Sequence, residues 1–307
     1  MGTPEFAVPS LEALIQSPYE LVAVCTQPDR KAGRGQQVVV SPVKQLASSR
    51  GIEVLQPGSL KATSAVERLA SLAPELIVVA AFGQILPREV LALPKLGCVN
   101  IHPSLLPRYR GASPIPAAIL QGDEVTGVTI MLMDSGLDSG PVLSQKELSV
   151  STDDTTGSLT ARLAEAGAQL VVETLGLWLE ERIEPQPQEE SQASYTKAID
   201  KEDGMIDWQL AAPQLWRRVR AFDPWPGCYT WWHGKRLKLG KVVPLEAGES
   251  GEAGKVVSLA RTPAAVVGVE TGDGVLGLLR VQLEGKREMS AEEFVRGQRD
   301  FIGSLLL

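Results

Sequence analysis

The sequence predicts an α/β protein in three parts: a mostly parallel sheet domain over residues 1–182, a linker over 183–203, and a small β-barrel domain over 204–307. Three observations lead there. Short β-branched runs alternate with helical patterns in the first half, a polar, proline-punctuated stretch follows, and strand-like runs separated by glycine turns fill the remainder.

In the first half the strand-like runs are 21–24, 52–55, 75–80, 98–101 and 127–133. Strands alternating with helices build a mostly parallel sheet with crossover helices, and the site belongs in loops at the carboxyl ends of the strands. Ser41-Pro42 opens one helix as N-cap and first-turn proline. Ser64 and Glu67 form a capping box that opens another, with Val66, Leu69 and Leu72 as its buried stripe. Leu159, Leu163, Ala166, Leu170 and Leu177 fall near helical spacing in a long helix, 156 to about 181, that closes the first domain.

The stretch 183–192 carries two prolines and almost no apolar residues, so an extended linker is expected. Beyond it a short helix, 212–221, precedes strand-like segments at 229–232, 235–243, 254–258, 265–270 and 275–282. Turn signals at His233-Gly234, 248–251 and Gly272-Asp273-Gly274 separate them, the grammar of an antiparallel barrel. Ser290 and Glu293 form a capping box for a last helix through Phe294.

Bulk properties exclude several classes. A chain of 307 residues with 44% hydrophobic and 22% charged residues can bury two cores, so disorder is excluded as its main state. Its longest apolar stretches, such as 76–82, fall far short of the roughly 20 residues a spanning helix needs, and no basic-then-apolar signal pattern opens it. A soluble, cytoplasmic protein without membrane association is expected. Cys25, Cys98 and Cys228 are odd in number and none is spaced C-x-x-C, which fits a reducing compartment and predicts no metal. A net charge of -7 argues against nucleic-acid binding over the whole surface and directs attention to local patches.

The chain has two histidines, His102 and His233. His102 ends an apolar run, and alternation places Asn100 and His102 on one face of that strand. An arbitrary N-x-H is usually structural. Here, however, the run 127–133 is followed by Asp134-Ser135-Gly136-Leu137-Asp138-Ser139-Gly140-Pro141, a glycine-bearing loop that exposes two carboxylates. Loops at adjacent strand ends can bring these groups together.

Two motifs then stand out: Asn100-Ile101-His102-Pro103-Ser104-Leu105-Leu106-Pro107-Arg108-Tyr109-Arg110-Gly111-Ala112-Ser113-Pro114, and the run from Asp134 to Gly140. Together they resemble the folate-dependent formyltransferases. The likeness extends to Gly2-Thr3-Pro4-Glu5-Phe6-Ala7, Gln27-Pro28-Asp29-Arg30 and Ala221-Phe222-Asp223-Pro224-Trp225-Pro226, so it covers nearly the whole chain. It implies a Rossmann-like first domain, an OB-like barrel, 10-formyl-tetrahydrofolate as formyl donor and methionyl initiator tRNA as partner. A monomer is expected.

Formyl transfer to an amine passes through a tetrahedral oxyanion that needs aimed donors, and Asn100 and His102 can both donate. The amine must lose a proton and the leaving nitrogen gain one, which suits His102, with Asp138 to orient it and stabilise its imidazolium. No G-x-S-x-G or histidine-paired cysteine signature competes, so transfer is direct. By resemblance, Ser104, Leu105, Leu106 and Pro107 wall the folate pocket, and Phe82, Gly83 and Ile85 complete it. The alternative for 104–107 is a rigid turn that supports His102.

Gly33-Arg34-Gly35 suggests part of a dinucleotide fingerprint, but Val38 stands at the third glycine position, so a nicotinamide cofactor is rejected. The basic loop 29–36, with Arg30, Lys31 and Arg34, instead resembles the family's insertion loop at the tRNA acceptor end. The window 208–243 holds Arg217, Arg218, Arg220, Lys235, Arg236, Lys238 and Lys241 against the single acid Asp223, a patch able to attract phosphates. The tRNA contacts are expected at Arg217, Arg218, Arg220, Lys235, Arg236 and Lys238. Tyr229, Trp231 and Trp232 are expected as barrel core or hairpin partners, and Trp208, Trp216 and Trp225 as packing between domains. His233 takes no catalytic role.

In the family the G-T-P run follows a short apolar strand within the sheet, whereas Met1 directly precedes Gly2 here. That strand is expected to be missing, leaving its neighbours with unpaired edges and the chain poorly stable; a melting midpoint equal to that of a version extended upstream would refute this. Rival functions share the same residues: a sugar-nucleotide or glycinamide-ribonucleotide formyltransferase, a formyl-tetrahydrofolate hydrolase, or a non-catalytic RNA-binding protein. The basic window favours tRNA, and the intact Asn100, His102 and Asp138 favour an enzyme.

Overall fold

The computed structural model describes residues 1–32, 37–246, 251–259 and 264–307. The chain divides into two compact units, one comprising Met1–Pro114, Val125–Ser149 and Thr160–Thr196, the other Ile115–Glu124, Val150–Leu159 and Lys197–Leu307.

The strands of the first unit are β1 (Val24–Cys25), a ribbon of β2 (Arg30–Ala32) and β3 (Gln37–Val39), β4 (Val54–Leu55), β5 (Ile77–Val79), β6 (Cys98–His102), β7 (Arg110–Gly111), β8 (Val125–Leu132), β9 (Val142–Ser149) and β10 (Tyr195–Thr196). Its helices are α1 (Val8–Gln16), α2 (Pro42–Ser49), α3 (Thr63–Ser71) and α4 (Arg88–Leu91); α5 (Pro114–Gln121) belongs to the second unit from Ile115 on, and α6 (Thr156–Leu179) belongs to the first from Thr160 on. Strands β1 and β4 pair in parallel, as do β5 and β6, and β8 and β9 extend the second group in antiparallel order. All five residues of β6 are buried, as a strand covered on both faces requires. Beside it Cys25, Leu60, Leu69, Ile77, Val79, Phe82, Leu86, Val90 and Cys98 form one apolar core.

Met1 and Gly2 lie between β1 and β5, the two strands expected to lose a shared neighbour. The Met1 ammonium donates to Val78 O at 2.6 Å, the Ala80 N–H to Met1 O at 2.9 Å and the Gly2 N–H to Cys25 O at 3.0 Å. Only glycine fits at this crossing: a Cβ on Gly2 would stand 2.6 Å from the Ala7 Cβ.

Several expectations are revised. Ser41 caps α2 by accepting the Lys44 N–H, as expected, but α3 starts at Thr63 with no side-chain cap, so Ser64 sits inside the helix and makes no capping box. Strand β9 is not anticipated by the sequence pattern; its residues are mostly polar and only Leu143 is buried, so it lacks the apolar run that marks a buried strand. Residues 183–196 of the expected linker belong to the first unit. There Gln186 pairs with Val142, and β10 pairs in parallel with β7.

In the second unit, α7 (Ala212–Ala221) packs on a curled antiparallel sheet of β11 (Cys228–Trp232), β12 (Lys235–Leu245), β13 (Val256–Ser258), β14 (Val267–Glu270) and β15 (Val275–Leu283), ordered β11-β12-β15-β14-β13. β16 (Met289–Ser290) adds to β15, and α8 (Ala291–Gly297) starts with Ser290 accepting the Glu293 N–H. Trp232, Phe294 and Phe301 pack edge to face in its core. Trp208, buried in this core, donates its indole N–H to the Thr230 hydroxyl, whereas Trp225 is 56% exposed.

Candidate active site

Strand β6 delivers Asn100 and His102 to the same face, both buried. Its pairing with β8 sets what lies opposite: Val99 faces Leu132 and His102 faces Thr129. The strands are antiparallel, so the loop after β8 leaves from the amino end of β6, not from a neighbouring carboxyl end. Three residues, or about 10 Å, separate those ends, and the loop turns back over that distance to bring Asp138 to His102.

The imidazole is held from its far side. His102 Nε2 lies 3.0 Å from Tyr109 O, and since a carbonyl only accepts, Nε2 carries the proton. In the neutral ring the free lone pair is therefore on Nδ1, which faces Asp138 Oδ2 at 3.7 Å, too long for a hydrogen bond but close enough for strong electrostatic attraction once Nδ1 is protonated. Burial pushes the His102 pKa down, and although the Asp138 charge and the Tyr109 carbonyl oppose that effect, burial prevails. His102 is thus a neutral base at neutral pH.

Asp138 has its own supports. Its Oδ2 accepts the Gly111 N–H at 2.8 Å, and its backbone takes the left-handed conformation, φ 49°. Asp134, the other carboxylate of the loop, is exposed and accepts from Gly136 N and the Ser139 hydroxyl. It shapes the loop. Asn100 differs from all of these: among the described residues its carboxamide has no hydrogen-bond partner.

The loop after β6 is anchored from beneath. The Ser104 hydroxyl, wholly buried, donates to Arg108 O at 2.6 Å, and Thr129 Oγ1 donates to Ser104 O while accepting the Leu106 N–H. Gln145 donates to Leu106 O and to Thr129 Oγ1. Ser104 therefore braces the turn under His102. Leu106 and Phe82 are buried, Leu105 and Pro107 partly so, while Gly83 is exposed and Ile85 is 83% exposed. The Gln27 carboxamide ties the second loop down through Phe82 O and Gly83 O.

A site with a buried neutral imidazole facing a carboxylate and an unpartnered carboxamide on the same face suits acyl transfer to an amine. The family model for formyl transferase matches residues 1–175, and that for the formyl transferase C-terminal domain matches residues 198–299. The chain belongs to the formyl transferase family. It is 48% identical over 294 residues to a methionyl-tRNA formyltransferase of Methylococcus capsulatus, covering 96% of this chain and 94% of that one. It is 44% identical over 307 residues to a methionyl-tRNA formyltransferase of Caldanaerobacter subterraneus, covering 100% and 98%. Among solved structures, an N-formyltransferase from Helicobacter canadensis in complex with folinic acid and dTDP-3-aminofucose shares the fold at TM-score 0.64 and 18% identity, over 94% of this chain and 97% of that one.

In this formyl transferase the cations expected at tRNA divide into two groups. Arg217 lies against Gly122 and donates to Gln121 O; Arg218 donates to Asp203 O and covers the Phe222 ring; Arg220 donates to Ser151 O, Thr152 O and Asp154 O while stacked on Trp216. All three are committed to protein carbonyls. Lys235, by contrast, is exposed, and Arg236 and Lys238 project from β12 opposite Trp231 and Tyr229 of β11. Strand alternation buries Cys228, Thr230 and Trp232 and turns Tyr229 and Trp231 outward, so of the three aromatics only Trp232 is core. Arg236 lies 4.4 Å above the Tyr229 ring. Arg30 is exposed and donates to the Gln27 side chain, the Lys31 side chain is not among those described, and Arg34 lies outside the described residues. Among the described residues no cluster of three or more His, Cys, Asp or Glu side chains could hold a metal, and no helix is long and apolar enough to cross a membrane.

Sequence reasoning gives no role to Arg110, Thr129, Gln145 or Gln188, all tied into this site. Thr129 has a readable signal, a hydroxyl at an inward position of an apolar strand. Gln188 has none, because a polar residue among polar residues is not distinctive.

Proposed function

We propose that this protein transfers the formyl group of 10-formyl-tetrahydrofolate to the amino group of methionyl initiator tRNA, a cytoplasmic step of translation initiation. The observation that carries this reading is identity of 44–48% through both units with relatives named methionyl-tRNA formyltransferase. Asn100, His102 and Asp138 are the groups we assign to the chemistry.

The residues present fit the folate. The exposed Ile85 and Gly83, with the partly buried Leu105 and Pro107, offer apolar and backbone surface, and the Asn100 carboxamide is free to bind. When bound, that group supplies an activated formyl carbon. Asn100 then donates to the oxygen on which negative charge develops. His102 takes a proton from the incoming amine at Nδ1 and returns it to the donor nitrogen as the bond from that nitrogen to the formyl carbon breaks, and Asp138 Oδ2 stabilises the intervening imidazolium across the 3.7 Å gap. Tyr109 O holds Nε2 throughout and keeps the ring from turning.

For the acceptor we assign the outward face of the barrel sheet, where Tyr229, Trp231, Arg236 and Lys238 combine aromatic rings with cations. The test supplies formyl-labelled 10-formyl-tetrahydrofolate with methionyl-tRNA and follows label into acid-precipitable RNA. Label in methionyl-tRNA and none in uncharged tRNA is expected. Label in an amino-sugar nucleotide alone, or formate released without any acceptor, would replace this reading with one of its rivals.

A further inference from the structure

Between Gln186, which pairs with Val142, and β10, which pairs with β7, the segment 186–196 runs as a strap joining the loop that carries Asp138 to the loop that follows His102. Gln188 stands at its centre. Its carboxamide nitrogen donates to Asp138 O at 2.8 Å and to Gly140 O at 2.7 Å, and its oxygen accepts from Arg110 Nε at 3.0 Å. The orientation of this amide has one solution, because carbonyls only accept and a guanidinium only donates. Both N–H groups of the side chain are thereby used, and its oxygen is held by the guanidinium.

Arg110 is 2% exposed and is held on its other side by Glu190 at 2.8 Å and the Tyr195 hydroxyl at 3.0 Å. Burial opposes its charge, but Glu190 and Tyr195 more than offset that and raise its pKa. The next residue, Gly111, gives its N–H to Asp138 Oδ2. The hydrogen bonds therefore close a ring, from Asp138 O through the Gln188 amide and the Arg110 guanidinium, along the chain to Gly111 N, and back to the Asp138 carboxylate. Asp138 is gripped by both its carbonyl and its carboxylate, which its left-handed backbone requires if it is to keep one position. The preceding residue, Tyr109, supplies the carbonyl that fixes His102 Nε2. One short stretch, 109–111, thus sets the positions of both groups.

We propose that Gln188 and Arg110 are positioning residues for formyl transfer, setting the separation of His102 and Asp138 through this ring without touching substrate. The inference rests on the assignment of His102 and Asp138 to the chemistry. Loss of the Gln188 amide frees Asp138 to drift from the imidazole, and misplacement of a reacting group by about 1 Å can cost up to about a hundredfold in rate.

The experiment compares the full chain with Gln188→Leu, Asp138→Asn and the double variant. It measures kcat, KM for each substrate, the acid limb of the kcat profile and the melting midpoint. For Gln188→Leu the expected result is a kcat lower by about ten- to a hundredfold with each KM within about twofold, and an acid limb moved to lower pH as the imidazole loses the charge that opposes its depressed pKa. In the Asp138→Asn background the same substitution should cost nothing further. Wild-type kcat and acid limb in Gln188→Leu overturn the proposal, as do equal losses in both backgrounds, which mark a merely structural residue. Full activity in Asp138→Asn overturns the site assignment itself. If Gln188→Leu does not fold, Arg110→Lys carries the same readouts, since lysine keeps the charge facing Glu190 but lacks the Nε–H that Gln188 accepts.

Discussion

His102 Nδ1 and Asp138 Oδ2 face each other at 3.7 Å, and the same carboxylate oxygen accepts the Gly111 N–H at 2.8 Å. The carboxylate is thus anchored whether or not the imidazole is charged, so protonating Nδ1 gains an ion pair without rebuilding the site. Asp138→Asn keeps an oxygen for Gly111 and removes the charge. Its kcat should fall by about a hundredfold or more, and its acid limb should move to lower pH, because the Asp138 charge raises the His102 pKa against burial. An unchanged acid limb would show that the Asp138 charge does not act on His102.

Asn100 separates catalysis from stability. Its carboxamide has no partner among the described residues, so Asn100→Ala breaks no internal hydrogen bond. Steady-state kinetics should show kcat lower by about a hundred- to a thousandfold, with KM for the formyl donor little changed, while calorimetry shows a melting midpoint near that of the parent. A large fall in the midpoint would reassign Asn100 to the core.

The depressed pKa of His102 makes stability depend on pH. The folded state disfavours the imidazolium, so the unfolded chain binds more protons once pH falls below the ordinary histidine value of about 6.5. This contribution is absent above that value, and stability is lost progressively as pH falls from there toward the lower folded pKa. Denaturant midpoints between about pH 7 and pH 5 should therefore decline more steeply in the parent than in His102→Asn; equal slopes would exclude His102 as the source.

Gly111 tests the strap by backbone alone. It has φ 108°, and a Cβ there would stand 2.5 Å from Thr196 O. Gly111→Ala should lower the melting midpoint by several degrees, corresponding to a loss of about 2 kcal/mol or more, and should lower kcat with it. Parent-like behaviour in both would mean that the strap can lift without consequence.

The two classes of cation in the second unit should separate on salt titration. Arg236→Ala and Lys238→Ala should raise KM for methionyl-tRNA and reduce its salt dependence, by about one power of salt concentration for each phosphate no longer neutralised, with the fold intact. Arg220→Ala removes three hydrogen bonds to carbonyls and a stack on Trp216, so a lower melting midpoint is expected with the salt slope unchanged. The reverse pattern would place tRNA on α7.

Much of the placement of the candidate site residues was legible because it is local. Alternation along a strand puts Asn100 and His102 on one face whatever lies around them, and Ser41 and Ser290 cap their helices through N–H groups three residues away. The long helix over 156–179 follows from its leucine spacing. What escaped was set by partners distant in sequence. Strand β8 runs antiparallel to β6, which moves the Asp138 loop from a shared strand end to a path back across the face. Gln188 reaches Asp138 across 50 residues, and no period or motif marks such a pairing. Tyr229 and Trp231 lie outside the barrel and Trp232 inside because register, not composition, decides which alternate set is buried. The amino acids by themselves determined which groups can move a proton and hold a charge. Only the tertiary structure decided that Nδ1 is the nitrogen that titrates, because the carbonyl that claims Nε2 belongs to a loop whose shape depends on Thr129, Gln145 and the strap.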